Sequence, residues 1–149
     1  MSNLLVQTIK HTNNTSAQTI DTSGRTTAVL NNDTTYRSDS GAVTQNMVQG
    51  LTKAWASTTG EGTPVIRDSF NMSGITDDGT GTYTFEITND MNSTHYTGHG
   101  DGERNAAGEG NIVGPIDVQT GTIQFRSKTD GGNHDDLDQG HFIIHGDLA

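Results

Sequence analysis

The chain has 149 residues, enough for one ordinary domain with a small appendage, because domains usually hold about 100–150 residues. Its net charge of −10 argues against nucleic-acid binding, and the absence of cysteine excludes disulfides and cysteine-based zinc sites. No stretch approaches the roughly 18 apolar residues of a membrane span, and the N-terminal apolar patch is too short for a signal peptide. We therefore expect a protein made in a cytoplasm, with no membrane insertion and no cofactor.

The composition favours strands and turns over helices. Threonine is the commonest residue, and the chain has 19 glycines but only 2 prolines. Only 29% of the residues are hydrophobic, so the core is sparse. Low hydrophobicity with high net charge is also the signature of disorder, which stays open as an alternative for residues 1–50. A sparse β-core is often completed by a neighbouring subunit, so we predict a homo-oligomer. The form that we expect is a homotrimer.

The N-terminal region, residues 1–47, is predicted to be a small arm or hairpin followed by a polar linker. Its first segment, NLLVQTIKHT, fits neither a strand nor a short helix cleanly. Next, Ser23-Gly24 separates two threonine-rich arms, a pattern that predicts a hairpin. Residues 31–46 are almost wholly polar, so we interpret them as a linker or as an extended arm on another surface.

Residues 48–149 are predicted to form an antiparallel β-sandwich of the jelly-roll-like type. Strand signals recur there at about the spacing of 8–12 residues that is typical of sandwiches and barrels. In TYTFEIT, Tyr83, Phe85 and Ile87 share one face, which predicts one buried side and one wet side. The predicted strands are GLTKAWAS, TPVIRDSF, NMSGIT, TYTFEIT, THYTGHG, NIVGPIDV, GTIQFRS and GHFIIHGD.

Two acidic residues, Asp77 and Asp78, stand between two of these strands in TDDGTGT. Asp-Gly and glycine-rich pairs supply the positive backbone angles of a hairpin connection, and Asp side chains bond neighbouring amides in turns. A calcium loop needs a longer alternation of acidic ligands and a terminal Glu, and this stretch has neither. The sequence predicts a turn here.

The loop TDGGNHDDLDQGH holds the best metal-ligating candidates of the chain. A solvated connection before the last strand explains the same residues, because glycine and aspartate are common in long β-connections. Paired carboxylates for acid–base work need burial, and only one apolar residue lies among them. We therefore predict no metal, and the candidates that a metal would use are Asp130, His134, Asp135, Asp136 and Asp138.

Two histidine pairs, His95 with His99 and His141 with His145, have a spacing of four residues. On a strand such a spacing separates two side chains by roughly 13 Å, too far for one shared ion. Neither pair chelates alone. Three copies of one histidine could still meet on a threefold axis, where they would hold an ion or respond to pH.

Motifs of known enzymes are absent from the sequence. It contains no G-x-S-x-G, S-x-x-K, H-E-x-x-H or G-K-[ST]. We predict a protein without catalytic activity.

Three motifs follow one another in the middle of the chain: Lys53-Ala54-Trp55, IRDSFN at residues 66–71 and ITDDGTGTY at residues 75–83. This series resembles a module of tail-fibre and other virion structural proteins of tailed phages, especially marine phages and cyanophages. In that module a Lys-Ala-Trp strand precedes an IRDSFN strand, an SSITDNGTG turn and a strand of alternating Tyr and Phe. TIDTSGR at residues 19–25 and HFIIHGDLA at residues 141–149 are similar to the N-terminal modules and chain ends of phage fibres. STHYTGHGDGERN is more polar than its counterpart, so its role is in doubt.

The resemblance implies a structural component of a tailed-phage virion, with no catalytic residues to carry over. The predicted form is a short fibre-like appendage that docks on other virion proteins and projects its C-terminal domain, with a host-surface glycan as a potential ligand. One alternative is a capsid decoration or cement protein that stabilises the head. A carbohydrate-binding module or a small glycan-cleaving enzyme is a second alternative. Exposure of Trp55 would support glycan binding, and its burial would argue against it.

Overall fold

A computed structural model shows an all-β chain that divides into two compact units, residues 1–48 and 49–149. The predicted all-β antiparallel class is confirmed. No helix occurs in the described part of the chain, so none there is long and apolar enough to cross a membrane. The structure describes residues 8–10, 16–28, 30, 34–37, 44–104 and 110–149.

The first unit contains two small antiparallel sheets. Strands β1 (Thr8–Lys10), β2 (Ser16–Ile20) and β3 (Thr26–Ala28) form one sheet, and strands β4 (Thr35–Arg37) and β5 (Thr44–Asn46) form the other. The prediction of a polar linker over residues 31–46 is therefore corrected in its described part, which pairs as a ladder. Threonine and tyrosine favour extended backbone even without apolar alternation. The undecided N-terminal segment lies outside the described residues except for β1.

The predicted hairpin at Ser23-Gly24 is confirmed. Gly24 has φ of 78°, a left-handed conformation that glycine adopts without steric cost. The Asp21 side chain accepts hydrogen bonds from the backbone N–H groups of Ser23 and Arg25, at 2.8 and 2.9 Å. Arg25 also forms an ion pair with Asp21. The turn therefore holds itself together through local hydrogen bonds.

The second unit is one eight-stranded antiparallel sheet, nearly closed into a barrel. The order of its strands is β7-β6-β13-β10-β11-β12-β9-β8. All eight predicted strands are present, but they form a single curled sheet, whereas a sandwich has two separate sheets. The strands are β6 (Thr52–Thr59), β7 (Val65–Phe70), β8 (Met72–Gly79), β9 (Thr82–Ile87), β10 (Thr97–Glu103), β11 (Gly110–Val118), β12 (Thr122–Lys128) and β13 (Gln139–His145).

The two outer strands of this sheet, β7 and β8, are consecutive in the chain and are joined by Asn71 alone. Asn71 has φ of 57°, a left-handed conformation that asparagine tolerates better than most residues. Its side-chain amide donates to the backbone oxygens of Lys53 and Asn89, and its side-chain oxygen accepts from the backbone N–H of Asn89. This one residue thus connects the ends of β6 and β9 where the sheet nearly closes.

Aromatic rings fill the interior of the barrel. The rings of Phe85, Phe125 and Phe142 pack with centroid distances of 4.5–6.0 Å, in the tilted and edge-to-face arrangements that aromatic pairs prefer. Alternation along each strand brings further apolar side chains to the same side. The buried hydrophobic residues are Ala54, Ala56, Met72, Tyr83, Phe85, Ile87, Met91, Val113, Ile123, Phe125, Leu137, Phe142 and Ile144.

Strand β10 contributes almost no side chains to the core, because its inward positions are glycines. A Cβ atom on Gly98 would lie 2.7 Å from Ile123 Cδ1, and one on Gly100 would lie 2.6 Å from Val113 Cγ1. Both distances are shorter than real Cβ contacts, so the bulky side chains of neighbouring strands occupy the space. This packing explains why β10, within the polar segment that begins at Ser93, can be a central strand.

Candidate functional site

The outer face of β6, β13 and β10 carries an unusual row of side chains. Residues that pair directly across antiparallel strands point to the same face. The register pairs Phe70 with Trp55, Trp55 with Ile143, and Ile143 with His99. Trp55 is half-buried and Phe70 is 53% exposed. Two aromatic rings, an aliphatic side chain and an imidazole therefore cross four strands on the solvent side of the barrel.

A second row on the same face is polar. Ser57 pairs with Asp68 on one side and with His141 on the other, and His141 pairs with Asp101. His141 and Asp101 are both exposed. The hydroxyl, imidazole and carboxylate groups of this row can donate or accept hydrogen bonds.

The two rows border an open groove of about 420 Å³, which we call the outer groove. Trp55 and Ile143 give it an apolar wall, and polar groups face them across the groove. A few polar groups placed around an aromatic surface are the usual composition of a small-molecule site. Its lining residues are Trp55, Ala56, Ser57, His99, Asp101, His141, Phe142 and Ile143.

A second hollow, of about 340 Å³, lies beside the outer groove and is lined by Asp101, Gly102, Glu103, Gln139 and His141. It brings together two carboxylates on one face of β10, about 6–7 Å apart along the strand. Neither residue is buried, and Glu103 accepts a hydrogen bond from the Gln139 amide. General-acid catalysis needs a carboxyl group shielded from water. The pair therefore gives no support to an enzyme.

The acidic loop predicted as the best metal candidate uses two of its carboxylates for structural contacts. Asp135 forms an ion pair with Arg104. Asp136 accepts hydrogen bonds from the backbone N–H of Gly81 and from the Tyr83 hydroxyl, at 2.6 and 3.3 Å. These contacts attach the loop to one end of the barrel.

The Tyr83 hydroxyl is the centre of this attachment. It lies 3.2 Å from the backbone oxygen of Gly60 and accepts a hydrogen bond from the backbone N–H of Leu137 at 3.0 Å. The pKa of Tyr83 is raised to about 12, mainly by burial and in part by the nearby Asp136 carboxylate, although the hydrogen bond from Leu137 opposes the shift. Tyr83 on β9 thus joins the loop after β6 and the loop before β13 at one buried point.

The other metal candidates are not brought to one point. Asp130 and His134 are exposed, and His134 pairs with Lys128 in an isolated β-bridge. The backbone N–H of Asp138 donates to the backbone oxygen of Glu103. Within the described ranges, no group of three or more His, Asp or Glu side chains is placed to hold a metal ion.

Asp77 and Asp78 lie at the end of β8, and the turn to β9 is formed by Thr80 and Gly81. The predicted chain reversal is therefore present, but its turn lies just after the two aspartates. The Asp77 side chain accepts a hydrogen bond from the backbone N–H of Gly79, which has φ of 116°. The Asp78 side chain accepts hydrogen bonds from Thr84 and Gln124. Both carboxylates are used to hold the hairpin.

The two histidines that are neighbours on the barrel surface, His99 and His141, are not one of the pairs considered in the sequence. His99 pairs with Ile143, so His141, two residues before Ile143, is its diagonal neighbour across the strands, about 7–8 Å away between Cα atoms. The partners are thus on adjacent strands, not four residues apart on one strand. Alternation along the strands KAWAS and HFIIH is sufficient to predict which side chains point outward: Trp55, Ser57, His141 and Ile143. The sequence does not show that β13 lies between β6 and β10, which is what brings these side chains together.

No family model, no curated protein and no solved structure matches this chain.

Proposed function

We propose that this chain is a non-enzymatic structural component of a tailed-phage virion whose outer groove binds a glycan of the host surface. The observation that supports a glycan ligand is the position of Trp55. Its ring is half-buried on the outer face, between Ile143 and the exposed Phe70, with polar groups in the neighbouring row. The motif series from Lys53-Ala54-Trp55 to residues 75–83 supports the virion setting.

A sugar matches the two sides of the outer groove. One face of a pyranose ring presents C–H groups, which pack on an aromatic surface, and its hydroxyls need hydrogen-bond partners. The apolar surface for the C–H groups is formed by Trp55 and Ile143. The hydrogen-bond partners for the hydroxyls are Ser57, His141 and Asp101. The groove is open to solvent, so a sugar can enter without a conformational change.

The two-unit organisation suits an appendage. The described side chains of the first unit are mostly exposed, among them Ile20, Leu30 and Tyr36. A unit with exposed apolar residues is a natural place for contact with other virion proteins. The second unit would then project outward and present the groove. The predicted virion location and self-association of the chain belong to this proposal.

A capsid decoration protein is the second candidate. The short three-residue strands β3, β4 and β5 favour it, because extended polar segments of this kind can lie across neighbouring capsid subunits. The copy number of the protein in purified particles separates the two candidates. Dozens of copies over the head would support decoration, and a few copies at the tail would support the appendage.

Glycan binding can be measured through Trp55 itself, because the chain has 1 tryptophan. Titration of the purified chain with bacterial surface oligosaccharides should change the Trp55 fluorescence in a saturable way. Trp55→Ala should weaken binding at least about tenfold by calorimetry, about 1.4 kcal/mol. Trp55→Phe should retain part of the affinity.

Tyr36→Ala is the matched control, since Tyr36 is another exposed aromatic residue, outside the outer groove. It should leave binding unchanged. Equal affinity of the Trp55→Ala variant and the original chain would refute the groove as the glycan site. Absence of the protein from purified particles would refute the virion assignment independently.

A further inference from the structure

A second surface of the barrel, on strands β11 and β12, is apolar and exposed. Ile112 is 69% exposed and Ile116 is 44% exposed. Gly114 lies between them, and a Cβ atom there would meet nothing within 4 Å. The result is a hollow of about 200 Å³ bordered by the two isoleucines. We call this surface the β11 face.

Two cations border the same hollow. Arg126 and Lys128 lie on β12 beside Gly114 and Ile112. Among the described residues, no carboxylate lies within ion-pair distance of either cation, and the Arg126 Nε atom is buried without a hydrogen-bond partner. In a chain with net charge −10, this is a surface where an approaching copy would meet reduced repulsion.

The register gives the charges a definite order across three neighbouring strands. Asp101 on β10 pairs with Ile112 on β11, and Ile112 pairs with Lys128 on β12. Because cross-strand partners share a face, these side chains form one row with an acid, an aliphatic residue and a base. Asp101 and Lys128 are exposed. The row has opposite charges at its two ends and an apolar centre.

We propose that the β11 face binds the same face of a second copy of this chain, about a twofold axis that runs along β11. Turning the row over about such an axis exchanges its two ends. Asp101 of each copy then lies opposite Lys128 of the other, and Ile112 meets Ile112.

A second copy fits this surface better than a partner of a single charge. A purely acidic partner would match Lys128 and Arg126 but would place a like charge against Asp101. A twofold interface uses one patch on both subunits, so one self-complementary row is sufficient for it. The pairing gives a dimer of the second unit, whereas the predicted trimer would need contacts elsewhere. It does not rest on glycan binding.

Charge exchange tests the pairing. Sedimentation equilibrium of the full chain should give about twice the chain mass of 15.8 kDa. Lys128→Asp and Asp101→Lys should each place like charges opposite one another and raise the dissociation constant at least about tenfold. The double variant restores opposite charges and should return the constant to within about threefold of the original.

Glu61→Lys is the matched control, because it makes the same change of charge as Asp101→Lys at an exposed turn. It should leave the mass unchanged. Thermal unfolding of each variant checks that it is folded, and Ile112→Ser provides a charge-neutral variant that should also dissociate the dimer. A monomeric original chain at millimolar concentration, a trimer unaffected by these variants, or a double variant as weak as the single ones would overturn the proposal.

Discussion

The two units of the chain share a threonine- and glycine-rich composition but differ in what their strands bury. Every buried hydrophobic side chain among the described residues belongs to the second unit. In the first unit, Ile20, Leu30, Tyr36 and Met47 are each 38–55% exposed. The comparison shows that strand-forming residues alone are sufficient for paired strands but not for a hydrophobic core. A core appears only where alternation places aromatic rings on one face.

The largest expected effect is the loss of a core ring in the second unit. Phe125 is fully buried and contacts two other phenylalanine rings, so Phe125→Ala should lower the free energy of unfolding by about 3–5 kcal/mol. Tyr36→Ala in the first unit should change it by less than about 0.5 kcal/mol. Urea denaturation of the full chain measures both. Similar losses in the two variants would remove the contrast between the units.

A smaller effect is expected when a methyl group is added inside the barrel. The Cβ atom of Gly98→Ala would lie 2.7 Å from Ile123 Cδ1 and 2.8 Å from Phe125 Cζ, so the variant should lose about 1–3 kcal/mol of stability. Gly114→Ala is the matched control on the open outer face of the next strand. Its stability should be equal or slightly higher. Equal losses of stability in the two variants would show that close packing around β10 does not exclude larger residues from position 98.

Removal of the Tyr83 hydroxyl should destabilise the loop of residues 129–138 at one end of the barrel. Tyr83→Phe leaves the buried N–H of Leu137 without its partner, which costs about 1–3 kcal/mol. Hydrogen exchange should accelerate in residues 129–138 more than in the central strands. Unchanged exchange in that loop would contradict the role of Tyr83 as its attachment.

Alkaline pH tests the same residue. Burial is the main cause that raises the pKa values of Tyr83 and Tyr96 to about 12, above the usual value of 10.0. The unfolded chain then loses protons at a lower pH than the folded chain. The stabilisation is full below pH 10 and is lost as the pH rises towards 12. The midpoint of thermal unfolding should fall in that range, and less steeply in the Tyr83→Phe variant.

The smallest effect is expected in the hairpin of the first unit. Hydrogen bonds from the Arg25 backbone and side chain lower the pKa of Asp21 from the usual 3.8. The carboxylate therefore stabilises the turn above this pH, and the contribution is lost as the pH falls. Asp21→Asn should speed hydrogen exchange at Ser23 and Arg25 without moving the unfolding midpoint of the barrel. A parallel fall of that midpoint would show that the two units are coupled.

Local patterns were sufficient to predict the strands of the barrel but not its closure. Alternation in TYTFEIT and the chain reversal close to Asp77-Asp78 can be predicted from neighbouring residues. The position of β13 between β6 and β10 depends on contacts between residues far apart in the chain. The outer groove depends on that order, because it joins Trp55, His99 and His141 from three strands. The ladder of β4 and β5 was missed since its polar residues lack alternation.

The junction at Asn71 has a consequence for solubility. An open sheet exposes two edges, and each edge can pair with a strand of another molecule and start aggregation. Here the edge strands β7 and β8 are neighbours in the chain, and the Asn71 side chain holds the ends of β6 and β9 beside them. Near Asn71 each edge strand therefore has the other edge strand as its neighbour. We therefore expect this single left-handed asparagine to lower the tendency of the sheet to polymerise through its edges, by keeping their near ends side by side.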